Sequence, residues 1–242
     1  DDHSFRLILA FFHLSWPGYR RVRKGVKKRL SRHMRELGCR NVPEYLAILS
    51  ADSSEKKTAA RLLAVSISRF FRDPAMWSAL AAVLASRCGQ ASGGRAGRPF
   101  RAWSAGCACG EEVYSLKLLW MRLGRQCPGL PPLAVWAGDV NPEVLEKAER
   151  GVYPRSSVRN LSEDELASAF TGTSKRFTVQ PALKEGICWL RHDLVSDAPP
   201  AGDLDLVFLR NNLLTYHLPS TIAPVLARIV GAMAVGGLLV VG

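Results

Sequence analysis

The residues of this chain with the clearest capacity for chemistry lie between Phe100 and Ser115, FRAWSAGCACGEEVYS. They read as a short apolar strand, a tight turn of small residues, and a helix opening on two glutamates. A strand, a Gly-x-x-x-Gly turn and a helix form a nucleotide-sized crevice in a doubly wound α/β sheet. Gly106 and Gly110 let the backbone turn sharply and let a ligand approach closely. Helix N-terminal amides attract phosphate, but Glu111 and Glu112 would repel a pyrophosphate here. Two carboxylates suit a ligand with a cationic amine and a cationic sulfonium, so the turn points to S-adenosylmethionine. The G-C-A-C-G spacing also departs from the G-x-G-x-x-G of dinucleotide sites. The same glutamates would serve equally as ordinary dipole partners of the helix.

Further polar groups fall at strand ends. Asp139 closes a strand in AGDVNP, where an acid can accept hydrogen bonds from ribose hydroxyls, and Pro142 then starts a helix at its first turn. Asp193-Leu194 follow another strand and can meet an adenine. Leu209, Arg210 and Asn211 leave a strand at the topological switch point, where open α/β sheets bind ligands. The five histidines do not cluster, and no Ser-His-Asp or paired-acid constellation stands out. Of six cysteines only Cys107 and Cys109 are close, a poor zinc signature. No metal and reduced thiols in a cytoplasmic protein are therefore expected.

Elements that would position these groups alternate along the second half of the chain, the signature of a mostly parallel sheet with helices on both faces. Strands are expected at Phe100–Ser104, Leu133–Gly138, Gly186–Arg191, Leu204–Leu209 and Gly237–Val241. Helices are expected at Glu112–Leu123, Pro142–Arg150, Ser162–Phe170 and Ser220–Met233. Arg176–Val179 and Ile187–Leu190 are candidate antiparallel strands of a small β excursion. The sequence stops at Gly242 just after an apolar strand, and sheets of this kind carry further edge strands, so a longer natural protein is expected.

The first half reads as helices at Phe5–Leu14, interrupted by Trp16-Pro17-Gly18, and at Lys24–Leu37, with Val26, Leu30, Met34 and Leu37 inward. Gly38 ends the latter as a left-handed cap. Val42–Ser50 opens on Asn41, Ser54–Ile67 opens from the Ser53/Ser54 region, and Met76–Arg87 follows. The expected division is a helical basic domain (1–70), a connecting helix with a Gly/Ser/Arg-rich linker from Gln90 to Pro99 (71–99), and the α/β domain (100–242). The net charge of +12 concentrates between Arg20 and Arg35, where Lys28, Arg29, Arg32 and Arg35 share a helix. Such a surface suits an acidic protein, a phosphate backbone or anionic lipid; a solvated face without a partner is the plain alternative. With 48% apolar residues the chain can build a core, yet no run approaches the ~18 apolar residues of a membrane span.

The segments SRFFRDP, WSAGCACGEEVYSL, GDVNPEVLEKAERGVYP and DLVFLRNNLLTY together resemble the chemotaxis receptor methyltransferases (CheR), which methylate glutamates on chemoreceptors. The resemblance runs over nearly the whole chain. It implies a Rossmann-like methyltransferase sheet, a small all-helical N-terminal domain and a small antiparallel β excursion. It also implies S-adenosylmethionine as cofactor, with S-adenosylhomocysteine as product. By position, Ser66, Ser68, Arg72, Glu112, Asp139, Asp193, Leu194, Leu209 and Arg210 fall on cofactor contacts, and Lys28, Arg29, Arg32 and Arg35 on the surface that engages acidic receptor helices. Arg72 would orient the substrate carboxylate or the cofactor through its planar fork. Ala108 and Cys109 stand where the family commonly has serine and threonine. Thr215 stands where it has tyrosine, which makes Tyr216, one step later, the candidate for that hydroxyl. Carboxylate methylation requires no general base, since the acceptor is already ionised at neutral pH. Two other readings are a cofactor-binding module without turnover and a nucleic-acid methyltransferase. The latter lacks an Asp/Asn-Pro-Pro-aromatic motif: Asp197-Ala198-Pro199-Pro200-Ala201 misses it at both ends.

Overall fold

The computed structural model describes residues 1–65, 68–88, 97–173 and 175–242, and it divides into two units, each packed about its own core. Most of the expected linker from Gln90 lies outside the described residues.

In the first unit, three of the first five helices start on side-chain caps. α1 (Asp2–Phe11) begins where the Asp1 carboxylate accepts the Ser4 amide. Pro17 sits inside a one-turn helix, α2 (Trp16–Tyr19), that fills the expected break. α3 (Arg23–Glu36) turns Val26, Leu30 and His33 inward and is followed by Gly38 at φ 71°. Met34 and Leu37 are only half-buried; the inward place went to His33. Asn41 accepts the Glu44 amide to open α4 (Val42–Ala51). α5 (Ser53–Leu63) opens on Asp52, whose carboxylate accepts the Ser54 and Glu55 amides, and not on the serines themselves; it ends at Leu63, short of the expected Ile67. The ionised carboxylate is the better cap because it carries a full charge against the helix dipole. This unit also takes in residues 209–230 and 241–242. There the Ser15 amide donates to the Tyr216 carbonyl at 2.7 Å, and the Tyr216 ring packs on Tyr19 with centroids 4.8 Å apart.

The second unit opens with α6 (Pro74–Cys88) and continues as β1 (Phe100–Ala105), α7 (Glu111–Gln126), β2 (Leu133–Asp139) and α8 (Pro142–Arg150). Next come β3 (Val152–Pro154), α9 (Arg155–Val158), α10 (Glu163–Ala169), β4 (Phe170–Thr173), β5 (Arg176–Val179), α11 (Pro181–Lys184), β6 (Ile187–Arg191) and β7 (Leu204–Leu209). After the residues that belong to the first unit, α12 (Leu213–Tyr216) and most of α13 (Pro219–Gly231), β8 (Met233–Val241) completes the chain's elements. The main sheet has the order β6-β2-β1-β7-β8. β2 and β7 both pair with β1 in parallel, so strand order reverses beside β1 and places a crevice at its C-terminal end. β7 is buried at every residue, as a parallel strand covered on both faces must be.

One expectation is corrected. Ile187–Leu190 does not join the β excursion: β6 pairs in parallel with β2, Val135 opposite Ile187. The small antiparallel sheet has the order β3-β5-β4. Gly186, at φ 71°, lies so close to the Leu133 carbonyl (2.7 Å from a would-be Cβ) that it steers the chain onto the edge of β2. Phe170, expected to end a helix, caps α10 and starts β4.

A buried polar tie joins three helices of the first unit. The His33 ring bridges the Tyr45 hydroxyl and the Glu55 carboxylate, each at 2.8 Å. Tyr45 is fully buried, so Tyr45→Phe leaves a ring nitrogen of His33 without its partner in the core. It should cost about 1–2 kcal/mol, read as a lower urea midpoint with an unchanged denaturant slope.

Candidate active site

The turn after β1 is held from below by β2. The amides of Gly106 and Cys107 both donate to the Gly138 carbonyl at 2.9 Å, and the Ala108 amide donates to Asp139 Oδ2 at 3.0 Å. Gly106, Ala108 and Gly110 take φ of 90°, 50° and 86°. For Ala108 this conformation costs about 1 kcal/mol, which the Asp139 bond helps to offset. The Tyr153 hydroxyl donates to the Cys109 carbonyl at 2.6 Å. A Cβ on Gly110 would stand 2.9 Å from that of Ala148 and 3.0 Å from the Trp189 ring, so the close approach as well as the turn demands glycine.

The two glutamates that follow have different environments. Glu112 is half-buried and accepts from the Ser104 hydroxyl at 2.9 Å. Glu111 is buried and turned into the unit, where the Ser157 hydroxyl donates to it at 2.7 Å. Burial pushes the Glu111 carboxyl above its ordinary value, with the Ser157 and Ser68 hydroxyls acting the other way. Consecutive helix positions differ by about 100°, so only one of two adjacent glutamates can face the crevice. The reading of both as a pair facing a cationic ligand is corrected: Glu112 alone has that exposure.

Asp139 ends β2 with Oδ1 accepting the Asn141 amide at 3.0 Å and Oδ2 held by Ala108. Burial raises its pKa, and the Asn141, Ala108 and Val140 amides oppose the rise. The next strand end is tied to it, because the His192 amide donates to the Asp139 carbonyl at 3.0 Å. Asp193 Oδ1 accepts the Val195 amide at 2.9 Å, and the Asp193 amide donates to Asp197 at 2.9 Å; Leu194 lies half-buried between. His192 was passed over in the sequence, yet it is buried, its Nε2 donates to the Ala198 carbonyl at 2.8 Å, and its ring stands edge-on to Trp103. Arg72 is partly exposed, with Nε 4.0 Å from the Asp73 carboxylate.

Ser68, Arg72, Gly106, Glu112, Asp139, Asp193 and Leu194 thus belong to the second unit. Leu209, Arg210, Asn211 and Tyr216 fall in the first; Leu209 and Arg210 are buried, and Asn211 takes φ 53°. Ser66 lies outside the described residues. On α3, Lys28, Arg29, Arg32 and Arg35 are all exposed, but Arg29 is committed to structure. Its Nε and one terminal nitrogen donate to the Leu62 and Ala64 carbonyls, each at 2.9 Å, closing the end of α5.

A reversal of strand order beside β1, a left-handed turn leading into a helix, and acids at successive strand ends define a Rossmann-like methyltransferase domain. These groups fit S-adenosylmethionine: the turn leaves room for close approach, Glu112 can pair with an amine, and Asp139 can accept from hydroxyls. A sequence model described as "CheR methyltransferase, SAM binding domain" matches residues 66–242. The chain belongs to the CheR methyltransferase family, and S-adenosylmethionine is the cofactor of this domain. It is 34% identical over 221 residues to a 104.1 kDa uncharacterized protein of Rhodobacter capsulatus, covering 90% of this chain and 22% of that protein. It is 31% identical over 173 residues to the chemotaxis protein methyltransferase of Listeria monocytogenes (72% of this chain, 63% of the relative). With that of Escherichia coli it shares 29% over 232 residues (90% and 74%). The chain therefore spans less than two thirds of the first two of these relatives. A TehB-like S-adenosylmethionine-dependent methyltransferase of Corynebacterium glutamicum overlays with a TM-score of 0.35 at 19% identity, over 68% of this chain and 67% of the other. The strand order and the family match, rather than that overlay, establish the fold.

Two outcomes are expected. Gly110→Ala carries about 1–2 kcal/mol of left-handed strain in addition to its contacts, so thermal unfolding should begin several degrees lower and cofactor affinity should fall. Glu111→Gln should unfold at higher temperature than the parent at pH 7–8. A raised native pKa means that the folded state holds the proton more tightly than the unfolded one, so stability from this group is lost as pH rises through that value. Thermal melts from pH 4 to 8 should show the difference shrinking toward acid.

Proposed function

We propose that this chain transfers methyl groups to glutamate carboxylates of chemoreceptor-type signalling proteins, giving glutamate methyl esters. The observation that carries the reading is the Gly106–Glu112 turn, braced by Asp139 and by the Ser104–Glu112 bond, in a chain of the CheR family. When bound, S-adenosylmethionine supplies an electrophilic methyl group on a sulfonium. Glu112 and Asp139 are read as holding its amine and ribose, Asp193 and Leu194 as bordering its adenine, and Ser66, Ser68, Leu209, Arg210 and Asn211 as further contacts. Arg72 is read as orienting the acceptor carboxylate or the cofactor; neither role calls for a proton transfer, since a carboxylate is ionised at neutral pH. A site that excludes water and aligns both charged groups accelerates such a step.

The proposed partner surface is acidic and helical. It would meet the exposed face of α3, where Lys24, Lys28, Arg32 and Arg35 stand clear while Arg29 closes α5. A cytoplasmic location fits this partner, and no helix among the described residues is long and apolar enough to cross a membrane. One observation favours the second reading, a cofactor-binding module without turnover: the Tyr216 ring is packed on Tyr19 in the helical core.

Glu112→Ala and Asp139→Ala should each weaken S-adenosylmethionine binding by about tenfold or more, equivalent to about 1.4 kcal/mol, and calorimetry showing parental affinity in both would remove the pocket assignment. Binding without base-labile methyl ester on chemoreceptor signalling fragments would select the second reading. The double reversal Lys28→Glu/Arg32→Glu should raise KM for such fragments and flatten its salt dependence, with cofactor affinity unchanged.

A further inference from the structure

Arg72 lies between two residues with left-handed backbone, Phe71 at φ 45° and Asp73 at φ 61°. Each costs about 1 kcal/mol or more and persists only where surrounding structure over-determines it. Asn160 Nδ2 donates to the Phe70 and Phe71 carbonyls at 3.3 and 3.4 Å, and further holders come from two other elements. The Phe71 amide donates at 2.9 Å to the hydroxyl of Ser115, a fully buried residue on α7, and that hydroxyl donates to the Glu111 carbonyl at 2.6 Å. The Phe70 amide donates to the Ser157 carbonyl on α9 at 3.1 Å, and the Ser157 hydroxyl donates to the Glu111 carboxylate at 2.7 Å. Both branches meet at Glu111, the neighbour of Glu112.

We propose that Ser115, Ser157 and Glu111 are positioning residues that register Arg72 against the first turn of α7, and so against Glu112. The inference rests on the reading of Arg72 as a cofactor contact. Ring packing alone would not require this geometry. The Phe70 ring meets Phe170 and Tyr153 edge-on at 5.4 and 4.9 Å, and Phe71 meets Trp77 at 5.3 Å, contacts that an unstrained segment could make as well. The added hydrogen bonds hold the backbone on either side of Phe70 and Phe71 in the one path that presents Arg72. Ser115 suits this task because its hydroxyl accepts one amide and donates onward in the same place, whereas Ser157 holds Phe70 through its backbone carbonyl and reaches Glu111 through its hydroxyl. Glu111 is the common anchor, and burial keeps water from competing for its oxygens.

The test is a double-mutant cycle read as affinity for S-adenosylhomocysteine by calorimetry. Arg72→Ala and Ser115→Ala should each weaken binding by about tenfold, and the double variant should lose no more than either alone, because Ser115 acts through Arg72. Ser157→Ala in the same cycle supplies a second measurement should Ser115→Ala fail to fold. A roughly hundredfold loss in the double variants, the product of independent effects, would overturn the relay. So would parental affinity in Ser115→Ala and Ser157→Ala when Arg72→Ala binds weakly, an outcome that leaves the reading of Arg72 standing. Parental affinity in Arg72→Ala would instead remove that reading, and the relay with it.

Discussion

The second unit depends on how the end of β2 grips the turn after β1. Three residues of that turn occupy left-handed conformations, which a free loop would leave within nanoseconds. They stay because one carbonyl, that of Gly138, accepts two successive amides, and one carboxylate, that of Asp139, accepts a third. Three of these bonds therefore run between neighbouring parallel strands, and one, from the Gly110 amide to the Cys107 carbonyl at 3.0 Å, closes the loop on itself. The interstrand bonds explain why β1 and β2 must be adjacent and in register from Phe100 opposite Leu133 to Ala105 opposite Gly138. A slip of one residue would present a side chain where the turn needs a backbone oxygen.

The same logic separates what was legible in the sequence from what was not. Apolar runs such as LDLVFL announced buried parallel strands, and Asn41, Gly38 and Pro142 marked helix ends through local geometry. The turn was legible too, because glycine spacing is itself a backbone constraint. Relations between distant residues were not. β6 could be taken for part of a hairpin because its true partner, β2, lies some fifty residues upstream and leaves no local trace. Asp52 and Ser53 are both good caps, and the structure uses the charged one. Glu111 and Glu112 are identical in sequence, and helix phase alone sends one inward to Ser157 and leaves the other to Ser104.

In the first unit, charge hid structure. The run from Arg20 to Arg35 reads as one basic surface, but it contains an inward histidine that joins α4 and α5 to α3 and an arginine that closes α5. Both features arise because a long helix with few apolar residues cannot be anchored by burial alone: α3 buries only Val26 and Leu30 among its hydrophobic residues. Polar ties from His33 and Arg29 supplement a thin hydrophobic stripe and fix the rotation of the helix about its axis. That rotation determines which bases point outward. The exposed charges on α3 are thus oriented by residues of the same basic run whose hydrogen-bonding groups are turned to the unit's own backbone and side chains.

Asp139 braces the turn and is also the group proposed to meet the ligand. Each carboxylate oxygen offers two acceptor directions. In the structure Oδ1 accepts the Asn141 amide and Oδ2 the Ala108 amide, and the Val140 amide also favours the anion. The arrangement has an electrostatic consequence. Burial favours the neutral acid, whereas the amides, and any hydroxyls added to them, favour the anion. Each further donor would therefore favour the anion that holds the turn, so under the proposed ribose contact a bound ligand and the left-handed backbone of Ala108 would stabilise one another through a single carboxylate.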